Sequence, residues 1–489
     1  ADHGYDDACI YGHAFEGNYH FILNQSFADE HEVARYAEMM RDVAKLVVEG
    51  YDGSLKAEHG TGRNMAPFVK FEWGEKAYEA MKELKAIFDP EGLLNQGVIF
   101  NDDPDCFIKC LKPLPVLDYD FDSVPDGGKY LMDPSLSTAK ETVEQVKRAN
   151  KCIECGFCEV NCMSCGLTLS SRMRIAVQRE IRHLTATGEN PERLATLKKQ
   201  YKYYGDQTCA TDGLCSTSCP MKINTGELTH LIRQLDMNNS KMGYQVGEFA
   251  ANHMAGIKSG LRVVLDVAHL GHITLGPTLM TNICRGMNKM GLPLWTTAMP
   301  TKKRQPKKSD LTQFIIEKSV PKHEEHHSDL KVVYFPSCIN QTMGQSKNGG
   351  KKHDLVDEII QLMTKAGYEV IFPEGMEKMC CGQIWESKGM LDIADRKSAE
   401  LEAALWKASE EGKYPVLCAQ SPCLHRMKKV MHKMKLYEPA EFIMTYLVDR
   451  LDFHPVDRHV ALHLTCSTRQ MGVDKDMIAL AKLCSKNVF

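Results

Sequence analysis

The chain has 489 residues, 43% of them hydrophobic and 25% charged, with a net charge of −4. This balance excludes a wholly disordered polypeptide, and the small negative charge argues against a nucleic-acid partner. The length has room for two to four domains.

In chain order, residues 1–100 mix short strands with helices. Apolar residues recur at helical spacing over 28–48 and 74–88, and Asp89-Pro90-Glu91-Gly92 stops the second run. Residues 101–135 are rich in Pro, Asp and Gly and read as a linker. Residues 136–240 set two cysteine clusters between helices. Residues 241–308 read as a helical connector. Its richest apolar stretch, 261–280, is interrupted by Asp266, His269 and His272, so no run is expected to reach membrane-spanning length, and no signal peptide is expected at the start of these residues. The Met-rich 280–299 reads as core packing. Lys302, Lys303, Arg304, Lys307 and Lys308 read as a solvated basic stretch before a second linker, 309–329. Residues 330–455 form an α/β region, with strands at 331–335 and 369–372 around a helix at 355–367. Residues 456–489 restart it. Cys338 and Cys466 each end an apolar strand and each precede Met-Gly (Met343-Gly344 and Met471-Gly472) by the same distance. That repeat implies a duplicated domain whose second copy is cut short. With no opening Met and an end inside an apolar pattern, the chain is expected to be a segment of a longer polypeptide.

Nineteen cysteines are the most informative feature. A chain this long does not need disulfide staples, and most of the cysteines fall in tight clusters, a pattern of metal ligation in a reducing compartment. The strongest motif is Cys152-x-x-Cys155-x-x-Cys158-x-x-x-Cys162, and a partner follows with Cys209, Cys215, Cys219 and Pro220. Three thiolates at intervals of three wrap one cubane, and the fourth crosses to the other cluster. Cross-ligation assigns Cys152, Cys155, Cys158 and Cys219 to one [4Fe–4S] cluster. Cys209, Cys215 and Cys162 go to a second, [4Fe–4S] or [3Fe–4S], whose fourth corner falls to Asp212, Cys165, water or nothing. Asp212 stands where a cysteine is expected, and it serves equally as a turn residue. A zinc ribbon would show two separated C-x-x-C pairs instead.

Residues 1–100 carry a different chemistry. His13 and His20 lie an odd number of residues apart, so one straight strand would point them to opposite faces. Gly12, Gly17 and Asn18 supply a turn that lets the imidazoles converge. Glu58-His59-Gly60-Thr61-Gly62-Arg63 adds a carboxylate. Two histidines and one carboxylate leave an open coordination position, the pattern of a catalytic metal. Taken singly, each histidine reads as structural.

These segments, with Asp89-Pro90-Glu91-Gly92-Leu93-Leu94-Asn95-Gln96-Gly97, resemble the C-terminal part of FAD-linked oxidases of the vanillyl-alcohol-oxidase type, nearest to D-lactate and D-2-hydroxyglutarate dehydrogenases. The family's N-P-G reads Asn95-Gln96-Gly97 here. Cys338, the pair Cys380-Cys381 before Gly382, and Cys423 resemble the cysteine-rich CCG domain of heterodisulfide reductase. That family closes its motif with C-x-x-C, where this chain has Gln420, with Cys418 two residues earlier. A scaffold of buried free thiols is the other reading of this copy. The order of parts resembles the fused FAD/iron–sulfur D-2-hydroxyacid dehydrogenases.

The resemblance implies an α+β multidomain chain. Its parts would be the C-terminal part of an oxidase cap domain, a helical two-cluster ferredoxin-like domain and a duplicated α/β CCG domain. It implies that His13, His20 and Glu58 hold Zn²⁺ or another divalent metal, that His59 is the general base, and that Asn95 lies near FAD held mainly by an upstream domain. It also implies a further cluster at Cys338, Cys380, Cys381 and Cys423. The expected reaction is oxidation of a D-2-hydroxyacid, with electrons leaving through the clusters to a quinone, cytochrome or electron-transfer flavoprotein. The alternative is an electron-transfer module serving a separate dehydrogenase, which has no use for the His13/His20/Glu58 set. The protein is expected in the cytoplasm, free or peripheral on the inner face of the membrane, and as a homo-oligomer.

Overall fold

The computed structural model describes residues 2–109 apart from 26, 28 and 57, then 111, 116, 117 and 119, 137–288 apart from 240, and 300–303, 330–346 and 354–489. The linker expected at 309–329 lies outside these residues, as do Arg304, Lys307, Lys308, residues 289–299 and most of 101–135. The chain divides into two compact units, 1–116 and 117–489.

The first unit opens with an antiparallel hairpin, β1 (Cys9–His13) and β2 (Asn18–Ile22), in which Tyr11 pairs with His20 and His13 with Asn18. Helix α1 (Glu30–Lys45) starts at Asp29, whose carboxylate accepts the Glu32 N–H. It buries Ala37, Met40 and Ala44 on one face, against Tyr5 and Phe107. Helix α2 (Val69–Phe88) breaks at Gly74, whose φ of 73° only glycine adopts freely. Asp89, 8% exposed, closes it: its carboxylate accepts the N–H groups of Leu93 and Leu94 and pairs with Lys85. The Lys85 ammonium and these backbone donors hold the Asp89 carboxyl below its usual range.

The second unit begins with helices α3 (Ser137–Ala149), α4 (Ser171–Thr187), α5 (Pro191–Tyr201), α6 (Thr225–Asn239) and α7 (Lys241–Asn252). Then comes α8 (Met254–Asn288), kinked at Gly276-Pro277. Contrary to the expectation for 261–280, α8 is long and apolar enough to cross a membrane by length and composition, and little of its most apolar window is buried. The interruptions include only one formally charged group, Asp266, which leaves the average high. Lys302 on strand β3 (Pro300–Lys302) pairs with that Asp266.

The remaining elements build a parallel sheet in the order β6-β4-β7-β8, with β4 (Lys331–Tyr334), β6 (Glu369–Ile371), β7 (Val416–Leu417) and β8 (Leu436–Tyr437). Strand β5 (Met343–Ser346) pairs with β3 instead. Around the sheet pack α9 (Leu355–Lys365), α10 (Gln383–Glu386), α11 (Leu391–Ala408), α12 (Ser421–Val430) and α13 (Pro439–Phe442). Val332, Val333, Tyr334 and Phe335 are fully buried, as both faces of a parallel sheet require.

The second copy of the repeat departs from expectation. Its strand β9 (Val456–Val460) stops six residues short of Cys466 and is exposed along most of its length. Its strand partner among the described residues is β10 (Ser485–Val488), and Cys466 opens a short helix, α14 (Cys466–Gln470), capped by Thr465. Helix α15 (Asp474–Cys484) leads to β10. Thr465 starts α14 because its hydroxyl accepts the Thr468 N–H.

A buried charge network welds the dicluster helices to the sheet region. Lys429 on α12 reaches Glu227 on α6 (2.9 Å), Glu141 on α3 (3.0 Å) and Glu386 on α10 (3.5 Å), and Arg426 pairs with Glu386 and Asp395.

Candidate functional site

Register places the first site. On an antiparallel pair, directly opposed residues share a face, so Tyr11, His13, Asn18 and His20 all project to one side of the hairpin. Gly12 is required, because a Cβ there would meet the Asn18 carbonyl oxygen at 2.0 Å. The loop at Glu58 brings its Oε1 to 3.3 Å from His13 Nε2, 2.9 Å from His20 Nε2 and 3.6 Å from His59 Nε2. Asn18 Nδ2 donates to the other carboxylate oxygen at 2.8 Å. A hydrogen bond from its own backbone and the three imidazoles hold the Glu58 carboxyl below its usual range.

The donor atoms of His13, His20 and Glu58 lie within 4.8 Å of one another. His20 Nε2 is buried and, despite its closeness to Glu58, makes no aligned hydrogen bond. An orphaned imidazole nitrogen beside a carboxylate and a second imidazole fits a small divalent cation. His59 borders this set, its ring centroid 5.2 Å from that of His20, and its side chain is exposed. Asn95 sits in the turn that Asp89 organises, exposed, with a φ of 46° that asparagine tolerates. Arg63 Nε donates to the Gln96 carbonyl at 3.1 Å and ties that turn to the loop after His59.

The cysteine motifs form two cavities. Cys152, Cys155, Cys158 and Cys219 line one of about 290 Å³. Cys162, Cys209, Cys215 and Asp212 line another of about 350 Å³. The two loops turn alike. Cys155 stands between Glu154 (φ 58°) and Gly156 (φ 86°), and Asp212 stands between Thr211 (φ 51°) and Gly213 (φ 72°). Asp212 thus occupies the backbone position that Cys155 holds in the first loop. Cys165 is exposed and is not on the second cavity's wall. The described cysteines are all free. Three or four thiols around each cavity, on loops free of zinc-ribbon pairing, fit an iron–sulfur cubane.

Helix α4 runs between the cavities and serves both. Arg174 donates to Cys162 Sγ (3.5 Å), Ser164 Oγ (2.8 Å) and the Gly205 carbonyl (2.6 Å). Arg179 donates to the carbonyls of Cys152 and Asn150, both at 3.0 Å. Burial pushes the Cys162 thiol up, but hydrogen bonds from Ser164 and Arg174 outweigh it and the thiol lies below its ordinary value. Cys215 has no such cation and is pushed by burial up to about 11.

In the sheet region Cys338, Cys380, Cys381 and Cys423 gather in one core cluster, joined by Cys418. Cys338 and Cys380 are 4.0 Å apart at sulfur, and Cys381 hydrogen-bonds Cys423. Only glycine fits after the pair, since a Cβ on Gly382 would meet the Ala394 carbonyl at 2.3 Å. Gln420 turns away to Asn340, and burial pushes Cys418, which follows β7, up to about 12. Lys258 on α8 is also buried here, donating to Gln341 and to the carbonyls of Met376 and Met379. Burial lowers its pKa, and the thiols of Cys338 and Cys380 partly offset that. Sequence reasoning missed Arg174, Arg179, Cys418 and Lys258 as site residues. The arginines had a weak local signal, cations on the helix that follows the first motif; Lys258 had none.

Comparison with known proteins follows the same division. Residues 1–99 match the C-terminal domain of FAD linked oxidases, and residues 148–223 match the 4Fe-4S dicluster domain. The glycolate oxidase subunit GlcD of Bacillus subtilis is 33% identical over 95 residues, 19% of this chain and 20% of that protein. The D-2-hydroxyglutarate dehydrogenase of Stutzerimonas stutzeri is 34% identical over 91 residues, 18% of this chain and 20% of that one. Mitochondrial D-lactate dehydrogenase (cytochrome) 1 of Saccharomyces cerevisiae is 30% identical over 95 residues, 19% and 16% of the two chains. The chain spans about a fifth of the length of these curated relatives. No solved structure matches. The chain therefore carries an FAD-linked oxidase C-terminal domain followed by an iron–sulfur dicluster domain.

Proposed function

We propose that the native protein oxidises a D-2-hydroxyacid of the lactate or 2-hydroxyglutarate type to the 2-oxoacid and sends the electrons singly to an external acceptor. The observation that carries the reading is the convergence of His13, His20 and Glu58, with His59 at their edge, in a chain that also builds two thiol-walled cavities. A pure electron carrier has no use for the first set.

His13, His20 and Glu58 would hold a divalent metal such as Zn²⁺, which when bound acidifies a substrate hydroxyl and orients the neighbouring carboxylate. FAD, when bound, supplies the acceptor for the hydride on Cα. His59 takes the hydroxyl proton: it is a solvent-facing imidazole beside the donor set. Asn18 holds Glu58 in place through the second carboxylate oxygen. Asn95 would lie near the flavin in this reading.

The cluster ligands would be Cys152, Cys155, Cys158 and Cys219 for one cubane, and Cys162, Cys209, Cys215 and Asp212 for the other; the clusters supply the one-electron steps that a two-electron donor needs in order to serve a quinone, cytochrome or flavoprotein. Cys338, Cys380, Cys381 and Cys423 would take a further metal group, a reading supported by their gathering in one core with a buried cation beside them. The same proposal has the protein in the cytoplasm or peripheral on the inner membrane face.

The test is anaerobic mixing of the native polypeptide with a panel of 2-hydroxyacids, read by flavin bleaching. His59→Ala is expected to slow bleaching by roughly 10²–10⁴-fold, the usual worth of a general base, while the cluster spectra stay unchanged. Bleaching at the wild-type rate in that variant would remove His59 from the reaction.

A further inference from the structure

A cubane has four irons, and each needs a ligand outside the core. The first cavity offers four thiols and the second offers three, with Asp212 at the position equivalent to Cys155. The next thiol beside that position is not in the dicluster segment. Helix α14, from the second copy of the repeat, docks on the Asp212–Gly213 turn. Cys466 lies one turn before Gln470 on the same face of α14, which puts its thiol beside the Asp212 carboxylate. Gln470 covers Gly213 so closely that a Cβ there would meet its Nε2 at 3.1 Å.

The helix is held on its other side as well. Thr468 is fully buried, and its hydroxyl reaches Ser421 on α12 at 3.4 Å. Thr465 caps the same turn, so Cys466 is placed by packing and not by a free loop. Cys165, the nearer cysteine in sequence, is exposed, whereas Cys466 is partly buried.

We propose that Cys466 and Asp212 are alternative protein ligands for the fourth iron of the second cluster. With the carboxylate on iron, the thiol donates its hydrogen to the carboxylate. With sulfur on iron, the thiol proton has passed to Asp212 and the iron–oxygen bond has given way to an iron–sulfur bond, with no change in electron count. A hard oxygen donor and a soft sulfur donor then compete for one corner, and sulfur is the better match for a cluster iron. The inference rests on the two-cluster reading of the dicluster domain.

The test uses anaerobically purified native protein, with iron and sulfide analysis, EPR and Mössbauer spectroscopy. Wild-type protein is measured first, and less than two clusters per chain would sink the two-cluster reading and this proposal with it. Asp212→Ala and Cys466→Ala are each expected to keep a four-iron second cluster with an altered spectrum. The double variant is expected to lose one iron per chain and show a [3Fe–4S] signal, with the first cluster's signal as internal reference. Asp212→Ala combined with Cys466→Val, which keeps a side chain of similar size without a donor atom, should do the same. A [3Fe–4S] cluster in Asp212→Ala alone, or four irons surviving in either double variant, overturns the assignment.

Discussion

The two cluster cavities share a backbone and differ in their walls. Each loop places its second ligand position between two left-handed residues, Glu154 and Gly156 in one and Thr211 and Gly213 in the other. Around that common turn the first cavity is lined by Ile153, Pro220, Met221 and Ile223 together with Glu154 and Arg172, whereas the second is lined by Ser164, Thr208, Thr211, Thr225 and the buried Arg174. Hydrogen bonds and cations near the sulfurs raise a cluster's potential, and apolar surroundings lower it. One duplicated loop thus yields two unlike redox environments, with the difference residing in side chains that the ligand motif does not contain.

The largest expected effect removes one half of the comparison. Cys155→Ala combined with Cys158→Ala, which leaves two thiols on the first cavity, should cost the first cluster, about half of the cluster-bound iron, and leave the second cluster's spectrum in place. An unchanged iron content would overturn the ligand assignment. Next, Arg174→Met should lower the potential of the second cluster alone, on the order of tens of millivolts, because it withdraws a cation and a hydrogen bond from Cys162. Equal shifts in both clusters by redox titration would show that the walls do not act locally. The smallest effect belongs to Arg179→Met. That arginine donates to two backbone carbonyls and pairs with Glu154 (3.2 Å) but reaches no sulfur, so its loss should destabilise the first loop by about 1–3 kcal/mol for the groups left unpaired. The first cluster should be released faster on mild heating, with its potential scarcely moved; a large change of potential would contradict the division of labour along α4.

Much of the dicluster segment was legible in its spacing. A ligand motif is local: the residues between cysteines set the turn, and the turn aims the sulfurs. The crossing of Cys162 and Cys219 to opposite cavities follows from the same spacing, and the structure has both cysteines on those walls. The hairpin was also legible, because Gly12, Gly17 and Asn18 announce a reversal between the two histidines. The second repeat was misread at 460–466. An apolar run there resembles β4, but β4 lies inside a four-stranded sheet whereas β9 has a single strand neighbour among the described residues and Thr465 starts a helix instead. The apolar character of α8 was under-read, because three polar residues within a run lower its average less than they catch the eye.

The amino-acid order alone determined the elements whose causes lie within one or two turns of chain: cysteine loops, the glycine hairpin, the capped helices and the strand-and-helix alternation of the sheet region. Tertiary packing decided which distant groups meet. Glu58 joins His13 and His20 because a separate loop folds over the hairpin face, Lys258 enters the thiol core from a different helix, and Cys466 reaches Asp212 only because α14 packs against both α12 and the second cluster loop. The reason is physical: spacing and dihedral preference act along the chain, whereas the meeting of remote side chains depends on the summed burial of everything between them.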